Sequence, residues 1–381
     1  MIPRQHRNVI LAGVFLALLL SGCDNGDLTG PGGEDWIFEP VVAGQELGLH
    51  SAVAVAGDGT VHLAWHDPRR HKLHLAHRIA PRQWQDTLVD SAGWVGAHVA
   101  IHIDAADQVH LAYHDGWFFQ LRYALFDGTA WSVERLTPST LPMAEGGEAV
   151  IFRERPDGLH LVEMSSAVRS ADGTGRIRYW IRSGGAWVLQ STYSVSYLRP
   201  YLGFAWGDGG PALGVLSRDS HGGVGPRASF SVRLLTASSG AGPWQEWSVV
   251  RVTNNASALD YGERAVAVGF DAAGNRHLLY LDRSGELRDS AGGTVDSGVR
   301  NTLVHLRSGP GGDLYAAYAR NRHLIVARYG PGSGWQKVSR FGGFDQQGRY
   351  DFLVDETGVF HVSFYAGGAQ QLWYGRGEAT P

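Results

Sequence analysis

Hydrophobic and polar residues alternate with period two along most of this chain, in short runs that Gly, Asp, Pro or Ser residues interrupt. After residue 50 the first such runs are 52–55, 61–65, 73–77 and 84–89. Alternation of this kind is typical of half-buried β-strands, and the Gly-containing turns between the runs are typical of hairpins. Long runs with a helical period are missing from the sequence. The pattern therefore predicts an all-β protein with few helices.

The same unit recurs seven times at intervals of about 50 residues, a period typical of repeat architectures. Its clearest copy reads DGTVHLAW at 58–65 and LHLA at 73–76, with Trp84 opening a further strand. In the other six copies, the position of His62 is occupied by His110, His160, Ala212, His277, Tyr315 and His361. Each copy has room for four short strands. The sequence predicts a seven-bladed β-propeller with four-stranded antiparallel blades.

The seventh copy lacks a fourth strand of its own, because few residues follow its strand at 371–374. The segment 36–42 begins with Trp, like the outer strands that open at Trp131, Trp187 and Trp335. We expect this N-terminal strand to complete the last blade and to close the ring, which removes an exposed sheet edge. The propeller then spans residues 36–381. Copies four and five are the least regular, so their boundaries are the hardest to assign.

The N-terminal segment has the pattern of a targeting sequence. Arg4 and Arg7 precede an apolar run, 9–20, which is too short to span a bilayer and matches a signal-peptide core. The run ends in LSGC at 20–23, which resembles the bacterial lipoprotein cleavage box, whose Cys becomes acylated. Cys23 is the only Cys of the chain, so an intramolecular disulfide cannot form.

This resemblance implies three segments and a location. Residues 1–22 would be a lipoprotein signal peptide, 23–35 a Gly-rich tether that behaves as a flexible coil, and 36–381 the propeller. A lipid on Cys23 would hold the protein at a membrane of the cell envelope, in the periplasm or at the cell surface.

Charge and composition indicate which kinds of partner the chain can bind. The formal net charge is −4, and no basic footprint of the kind that nucleic-acid binding requires is visible. Hydrophobic residues make up 44% of the chain, with 13 Trp and 52 Gly, which suits one large domain with many turns. We expect a monomer that binds no nucleic acid.

Polar and aromatic residues concentrate in loops that share one face of such a ring. These are the loops that enter the innermost strands and the loops that join the second strand to the third. Such a mixture is typical of a ligand pocket. The candidate ligand-binding residues are His66, Asp67, Arg69, Trp94, His98, His114, Asp115 and Trp117.

Neither a metal nor a cofactor is expected. The repeated His residues at the His62 position lie too far apart around the ring to share one ion, since zinc needs its nitrogens at about 2 Å. We interpret them as structural residues that make the same hydrogen bond in each blade. The segment 66–71, HDPRRH, is interpreted as a solvated turn.

The same face also permits catalysis. A polysaccharide lyase needs a neutral base and a cation that neutralises a uronate carboxylate, and the candidates are His50, His98, His114, Tyr350 and Arg349, with Arg69 as a second cation. A glycosidase needs two carboxylates at a defined separation, and the candidates are Glu145, Glu148, Glu263 and Asp351. The sequence contains no specific catalytic motif.

The blade unit at 58–65 and 73–76 resembles the repeats of secreted bacterial propellers of the sialidase-like, or BNR-repeat, grouping, which includes ulvan-type polysaccharide lyases. The resemblance covers residues 36–381 and rests on blade-building residues. The Ser-x-Asp-x-Gly-x-Thr-Trp boxes of true sialidases are not intact here. We predict that the protein binds a glycan or protein partner on its loops. The alternative is a carbohydrate-active enzyme, a lyase before a hydrolase.

Overall fold

The computed structural model describes residues 36–43, 48, 50–118, 120–137, 149–165, 174–196, 198–218, 229–253, 266–282, 284–299, 302–343, 350–366 and 371–379. Within these ranges the chain forms seven four-stranded antiparallel sheets. The innermost strands of neighbouring sheets contact one another all the way round a ring. The predicted seven-bladed β-propeller is confirmed.

The blades follow one another along the chain. Blade 1 contains β2 (Ser51–Val55), β3 (Val61–Asp67), β4 (Lys72–Ala80) and β5 (Gln83–Asp90). Blade 2 contains β6 (Val95–Ile103), β7 (Val109–Asp115), β8 (Gln120–Phe126) and β9 (Trp131–Arg135). Blade 3 contains β10 (Ala149–Arg155), β11 (Gly158–Ser165), β12 (Thr174–Ser183) and β13 (Ala186–Ser196). Blade 4 contains β14 (Leu198–Gly207), β15 (Gly210–Arg218), β16 (Ser229–Thr236) and β17 (Gln245–Thr253).

The remaining three blades include the irregular fifth copy. Blade 5 contains β18 (Val266–Phe270), β19 (Arg276–Leu281), β20 (Leu287–Asp289) and β21 (Thr294–Asp296). Blade 6 contains β22 (Val304–Ser308), β23 (Leu314–Arg320), β24 (His323–Gly330) and β25 (Gly334–Phe341). Blade 7 contains β26 (Tyr350–Val354), β27 (Phe360–Ala366), β28 (Gln371–Gly377) and β1 (Trp36–Ala43). The outer strands of blade 5 are only three residues long.

The hydrophobic core lies between the faces of adjacent blades. Between blades 6 and 7, for example, Phe341, Phe352, Phe360 and Phe364 are fully buried in one cluster. The period-two pattern places the apolar side chains of each strand on the faces that neighbouring blades cover. One 3-10 turn, Pro310–Gly312, interrupts the β-structure of blade 6. Over the described ranges, none of the helical segments has the length and apolar character needed to span a membrane.

The N-terminal strand closes the ring, as the sequence predicts. Strand β1 pairs with β28 from Trp36 opposite Gly377 to Ala43 opposite Gln371. Trp36 is 5% exposed, and its indole Nε1 donates to Ser339 Oγ of blade 6 at 2.7 Å. On the other side, Arg78 Nε of blade 1 donates to Glu39 Oε2 at 2.9 Å. The closing strand is therefore bound to the blades on both of its sides.

Three of the five repeated His residues make the same structural hydrogen bonds, as the sequence predicts, whereas His277 pairs with two carboxylates instead and His62 Nδ1 has no hydrogen-bond partner. In blade 2, His110 Nδ1 lies 2.6 Å from the Tyr123 hydroxyl, and His110 Nε2 lies 3.1 Å from Asp104 Oδ2. Blades 3 and 7 repeat this arrangement around His160 and His361. The Asp carboxylate requires a proton on Nε2, so the tyrosine hydroxyl donates to Nδ1. The motif ties the first hairpin turn of a blade to its third strand.

Candidate functional site

The loops that precede β2 and β6 and those that join β3 to β4 and β7 to β8 lie on one side of the ring, which we call the loop face. Backbone hydrogen bonds connect them: His66 N donates to His50 O at 3.1 Å, and Gly116 N donates to Trp94 O at 2.7 Å. The sector of blades 1 and 2 on this face therefore brings together most of the candidate residues that the sequence predicts.

Three aromatic rings form a cluster at this sector, His71, Trp94 and Trp117, which we call the aromatic cluster. His71 stacks on Trp94 with ring centroids 4.7 Å apart, and Trp94 meets Trp117 edge-on at 5.3 Å. Trp94 is 47% exposed and Trp117 is 58% exposed. Grouped exposed aromatic side chains mark an interaction surface more often than a packing defect.

Four imidazole rings form a row beside this cluster, in the spatial order His66, His50, His98 and His114. We call them the histidine row. Successive ring centroids are 5.9, 4.7 and 6.0 Å apart. His66 and His114 are buried. Burial, aided by the neighbouring His71, lowers the pKa of His66 to about 4, so its imidazole is neutral at neutral pH.

A local backbone irregularity positions His98. The register of β6 against β7 shifts twice, between Val95 and Ala97 and between Ala97 and Ala100. His98 has a φ of 54°, in the left-handed region that non-Gly residues rarely adopt. Its backbone N donates to His50 Nδ1 at 3.3 Å. Bulges of this kind re-aim side chains and occur next to functional sites.

The two acidic candidates of this sector, Asp67 and Asp115, are almost completely buried. Asp67 Oδ1 accepts from the backbone N of Arg69 and of Arg70, both at 3.0 Å. Asp115 Oδ1 accepts from the backbone N of Trp117 at 3.0 Å. Both carboxylates therefore hold the turns that present the aromatic and basic residues, of which Arg69 is exposed.

Asp115 also belongs to a buried charge network. Its Oδ2 pairs with Arg122 Nη2, and Arg122 Nη1 donates to Asp90 Oδ2 at 2.9 Å. The Tyr113 hydroxyl donates to the same Asp90 oxygen at 2.6 Å. This network lies directly beneath the aromatic cluster and fixes its supporting turn.

The histidine row leads to a cavity on the axis of the ring. The cavity has a volume of about 200 Å³ and is lined by innermost strands of every blade, with His50 and His98 among its lining residues. Tyr350 and Asp351 of blade 7, which adjoins blade 1 in the ring, also line the cavity. The Tyr350 hydroxyl donates to Leu303 O at 2.6 Å and to Ala317 O at 3.0 Å, and burial raises the pKa of that hydroxyl. Tyr350 is therefore a poor base.

Several candidates lie outside the described residues: Cys23, Glu145, Glu148, Glu263 and Arg349. For the part of the chain that is described, no group of three or more His, Cys, Asp or Glu residues has the geometry to hold a metal ion.

Sequence reasoning missed the charged residues of the cavity wall. Arg153 of β10, and His305 and Arg307 of β22, line the cavity together with Asp351. The sequence predicts site residues in loops, whereas these residues lie within innermost strands. A charged residue in the first strand of a repeat was the available signal, since blades 1, 4 and 5 carry Ala54, Ala205 and Gly269 at the position of Arg153 and Arg307.

Comparison with known proteins supports the architecture. No family model matches the chain, and no curated protein matches it in sequence. The crystal structure of the polysaccharide lyase Uly1 superposes with a TM-score of 0.54 at 13% identity, covering 86% of this chain and 89% of that chain. This likeness shows a common propeller fold.

Two further solved structures are less similar. The Aleuria aurantia lectin, a six-bladed β-propeller that recognises fucose, gives a TM-score of 0.47 at 13% identity over 78% of this chain and 96% of that chain. The exo-β-1,3-galactanase of Phanerochaete chrysosporium gives 0.41 at 12% identity over 91% of this chain and 97% of that chain. No residue role is carried over from any of the three.

Proposed function

We propose that this protein is a glycan-binding propeller of the cell envelope, attached to a membrane by a lipid on Cys23, with its binding surface at the aromatic cluster. The observation that carries the proposal is the pair Trp94 and Trp117, both about half exposed and in edge contact. Exposed indole rings cost free energy in water, and a sugar ring with one apolar face covers them.

The surroundings of the two tryptophans suit a saccharide. His71 stacks on Trp94, and the exposed Arg69 follows Asp67 on the same turn, so polar groups surround an aromatic floor. The turns themselves are held rigidly by Asp67 and Asp115. A preformed surface of this kind loses little conformational entropy when a ligand binds.

A second candidate function is polysaccharide lyase activity, and the histidine row favours it. The ring centroids of His50 and His98 lie 4.7 Å apart at the cavity. The ring of the neutral His66 lies next to that of His50. A lyase needs a neutral base beside the sugar and a cation for the uronate carboxylate. The Tyr350 hydroxyl is bound to backbone carbonyls, so a histidine would have to act as the base in this mechanism. Binding without cleavage remains our first proposal.

The position of the first strand is consistent with membrane attachment. Strand β1 pairs antiparallel with β28, and Trp36 lies opposite Gly377, at the end of the blade remote from the loop face. The preceding chain therefore joins the ring on the side opposite the aromatic cluster. A lipid on Cys23 would leave the loop face directed away from the membrane.

Substitution of the acylated residue tests the anchor. We expect Cys23→Ser to abolish acylation and membrane retention while the propeller still folds, because Cys23 precedes the first strand. The measurement is detergent partitioning of both forms, with circular dichroism as the control for folding. Equal retention of the wild-type protein and the variant would remove the lipid anchor from the account.

A glycan array probed with the full-length protein tests the binding function, with a parallel assay for lyase products by ultraviolet absorbance. We expect one class of glycan to bind with no increase in absorbance. An increase that His98→Ala abolishes would favour the lyase. An array without any bound glycan would leave a protein partner as the ligand and contradict the proposal.

A further inference from the structure

The central cavity carries an imbalance of charge. Strands β10, β22 and β26 contribute Arg153, Arg307 and Asp351 to its wall, and no other Asp, Glu, Lys or Arg of the described chain lines it. Two guanidinium groups therefore share one carboxylate. This feature is separate from the aromatic cluster, which lies on the outer surface of the loop face.

The carboxylate is already committed to Arg307 and to the backbone. Asp351 Oδ1 accepts from Arg307 Nη2 at 3.1 Å and from Phe352 N at 2.9 Å, and Asp351 Oδ2 accepts from Val53 N at 3.1 Å. These contacts join blades 6, 7 and 1. Asp351 therefore neutralises Arg307 and has little capacity for a second cation.

His305 adds no compensating charge. Its Nε2 lies 2.9 Å from Tyr350 O, a carbonyl that only accepts, so Nε2 carries the ring proton. Its Nδ1 is then an acceptor, 3.3 Å from Arg307 Nη2. Burial and the positive charge of Arg307 lower the pKa of His305 to about 4. The ring is neutral at neutral pH.

Arg153 has no carboxylate partner among the described residues. Its Nη1 donates to Phe152 O at 2.7 Å and its Nη2 donates to Phe204 O at 2.9 Å. Burial, followed by the charge of Arg307, lowers the pKa of Arg153 to about 9, while the charge of Asp351 opposes this shift, so the guanidinium remains charged at neutral pH. A buried charge is costly unless a counter-charge accompanies it.

We propose that the cavity binds one small oxyanion through Arg153, with Arg307 beside it. A guanidinium has five N–H donors, and the two carbonyl contacts leave others of Arg153 available to a planar or tetrahedral oxyanion. The cavity of about 200 Å³ is smaller than the roughly 300 Å³ at which drug-sized pockets begin. A carboxylate, sulfate or phosphate group fits this description, whereas an oligosaccharide does not.

Calorimetric titration of the full-length protein with sodium sulfate, phosphate, acetate and glucuronate tests the site. The first two probes represent free inorganic anions, and the last two represent the carboxylate of an organic acid or an acidic sugar. We expect at least one probe to bind the wild-type protein with one ion per chain. We expect Arg153→Met to weaken that binding at least about tenfold, because the charge-assisted hydrogen bonds are lost.

Thermal melting supplies the second readout. The bound anion raises the melting temperature of the wild-type protein by mass action, and the shift is absent in Arg153→Met. Without the anion, Arg153→Met melts at the same temperature as the wild type or higher, because a partly buried guanidinium without a carboxylate in hydrogen-bond contact has been removed. Arg328→Met is the matched control, since Arg328 is about half exposed and pairs with Asp313, and it keeps the wild-type response.

Two results overturn the proposal. One is a wild-type protein that none of the four anions binds, and the other is Arg153→Met binding as tightly as the wild type. If Arg153→Met does not fold, Arg153→Lys takes its place. Lysine retains the positive charge without the forked N–H donors of the guanidinium, so this variant must bind the anion more weakly than the wild type. Trp117→Ala must retain the anion response, which separates this site from the glycan surface.

Discussion

At the residue scale, the two His-Asp pairs that end β3 and β7 contain residues with different roles. Asp67 and Asp115 hold turns, whereas the aromatic residues that follow or face those turns are exposed. A carboxylate that caps a turn and one that binds a ligand have the same local sequence, so the sequence could not separate them. What separates them is burial, which depends on the neighbouring blades.

Loss of the Asp115 carboxylate should destabilise the protein severely. Asp115→Ala leaves Arg122 buried with a single partner, Asp90, and removal of one member of a buried ion pair costs about 3–5 kcal/mol. Urea unfolding of the wild type and the variant measures this. Asp58→Ala serves as the control, because Asp58 lies in an exposed turn of blade 1. Equal stability of Asp115→Ala and the wild type would show that the network is not structural.

The aromatic cluster and the histidine row should affect affinity and not stability. We expect Trp117→Ala and His98→Ala each to weaken glycan binding at least about tenfold, since each removes contacts worth about 1–3 kcal/mol, while stability changes by no more than about 1 kcal/mol. Trp247→Ala is the matched control, because Trp247 is 55% exposed on the outer strand of blade 4. Lower stability with unchanged affinity would assign Trp117 and His98 to packing.

At the scale of elements, period-two patterning predicted nearly every blade, because successive side chains of a strand point to opposite faces of the sheet. The repeated unit also predicted the structural role of His110, His160 and His361. It could not predict the bulged start of β6, since the positive φ of His98 leaves no mark in the pattern. The short outer strands of blade 5 lack the Trp that opens the outer strand in other blades.

Ring closure makes a prediction about the first strand. Deletion of residues 36–42 exposes the edge of β28 and removes the indole of Trp36, and loss of a buried Trp side chain alone costs about 3–5 kcal/mol. We expect a large fall in melting temperature, measured by calorimetry. Deletion of residues 24–33, which precede the first strand, is the control and should change little. An unaltered melting temperature after the first deletion would show that the ring closes without β1.

At the scale of the whole molecule, buried histidines should make stability depend on pH. Burial is the main cause that lowers the pKa of His62, His66, His102 and His305 to about 4, against about 6.5 in the unfolded chain. As the pH falls below about 6.5, the unfolded chain binds protons at these residues and the folded chain does not. Stability therefore decreases as the pH falls through this range.

His277 acts in the opposite direction. Burial alone would lower its pKa, but the hydrogen bonds and charges of Asp289 and Asp271 outweigh burial and raise it. The contribution of His277 to folding stability is complete at pH values below the ordinary histidine pKa. It is lost as the pH rises through the raised pKa of the folded state. With His110 and His361, whose pKa values burial also lowers, six described histidines against one leave a net loss on acidification. Urea midpoints at about pH 7.5 and about pH 5 should show a clear fall, and His62→Gln should reduce it. Identical midpoints would contradict the prediction.

The sequence predicted which candidate residues share the sector of blades 1 and 2, but it did not predict the charges of the cavity. Topology alone places Trp94, His98 and Trp117 on one face, because entering loops and second-to-third loops share a side of the ring. The charges of the cavity depend on contacts between blades, such as Arg307 with Asp351 and Arg153 with Phe204. Such contacts exist only after the ring has closed, and local pattern carries no information about them.

The most direct test of the central claim is a crystal structure of the protein with the glycan that the array selects. We predict a sugar ring lying against the indole of Trp94 or Trp117, with polar contacts from the turns that Asp67 and Asp115 hold. A glycan bound on the opposite face of the ring, or on the loops of blades 4 to 6 with the aromatic cluster uncovered, would contradict the account.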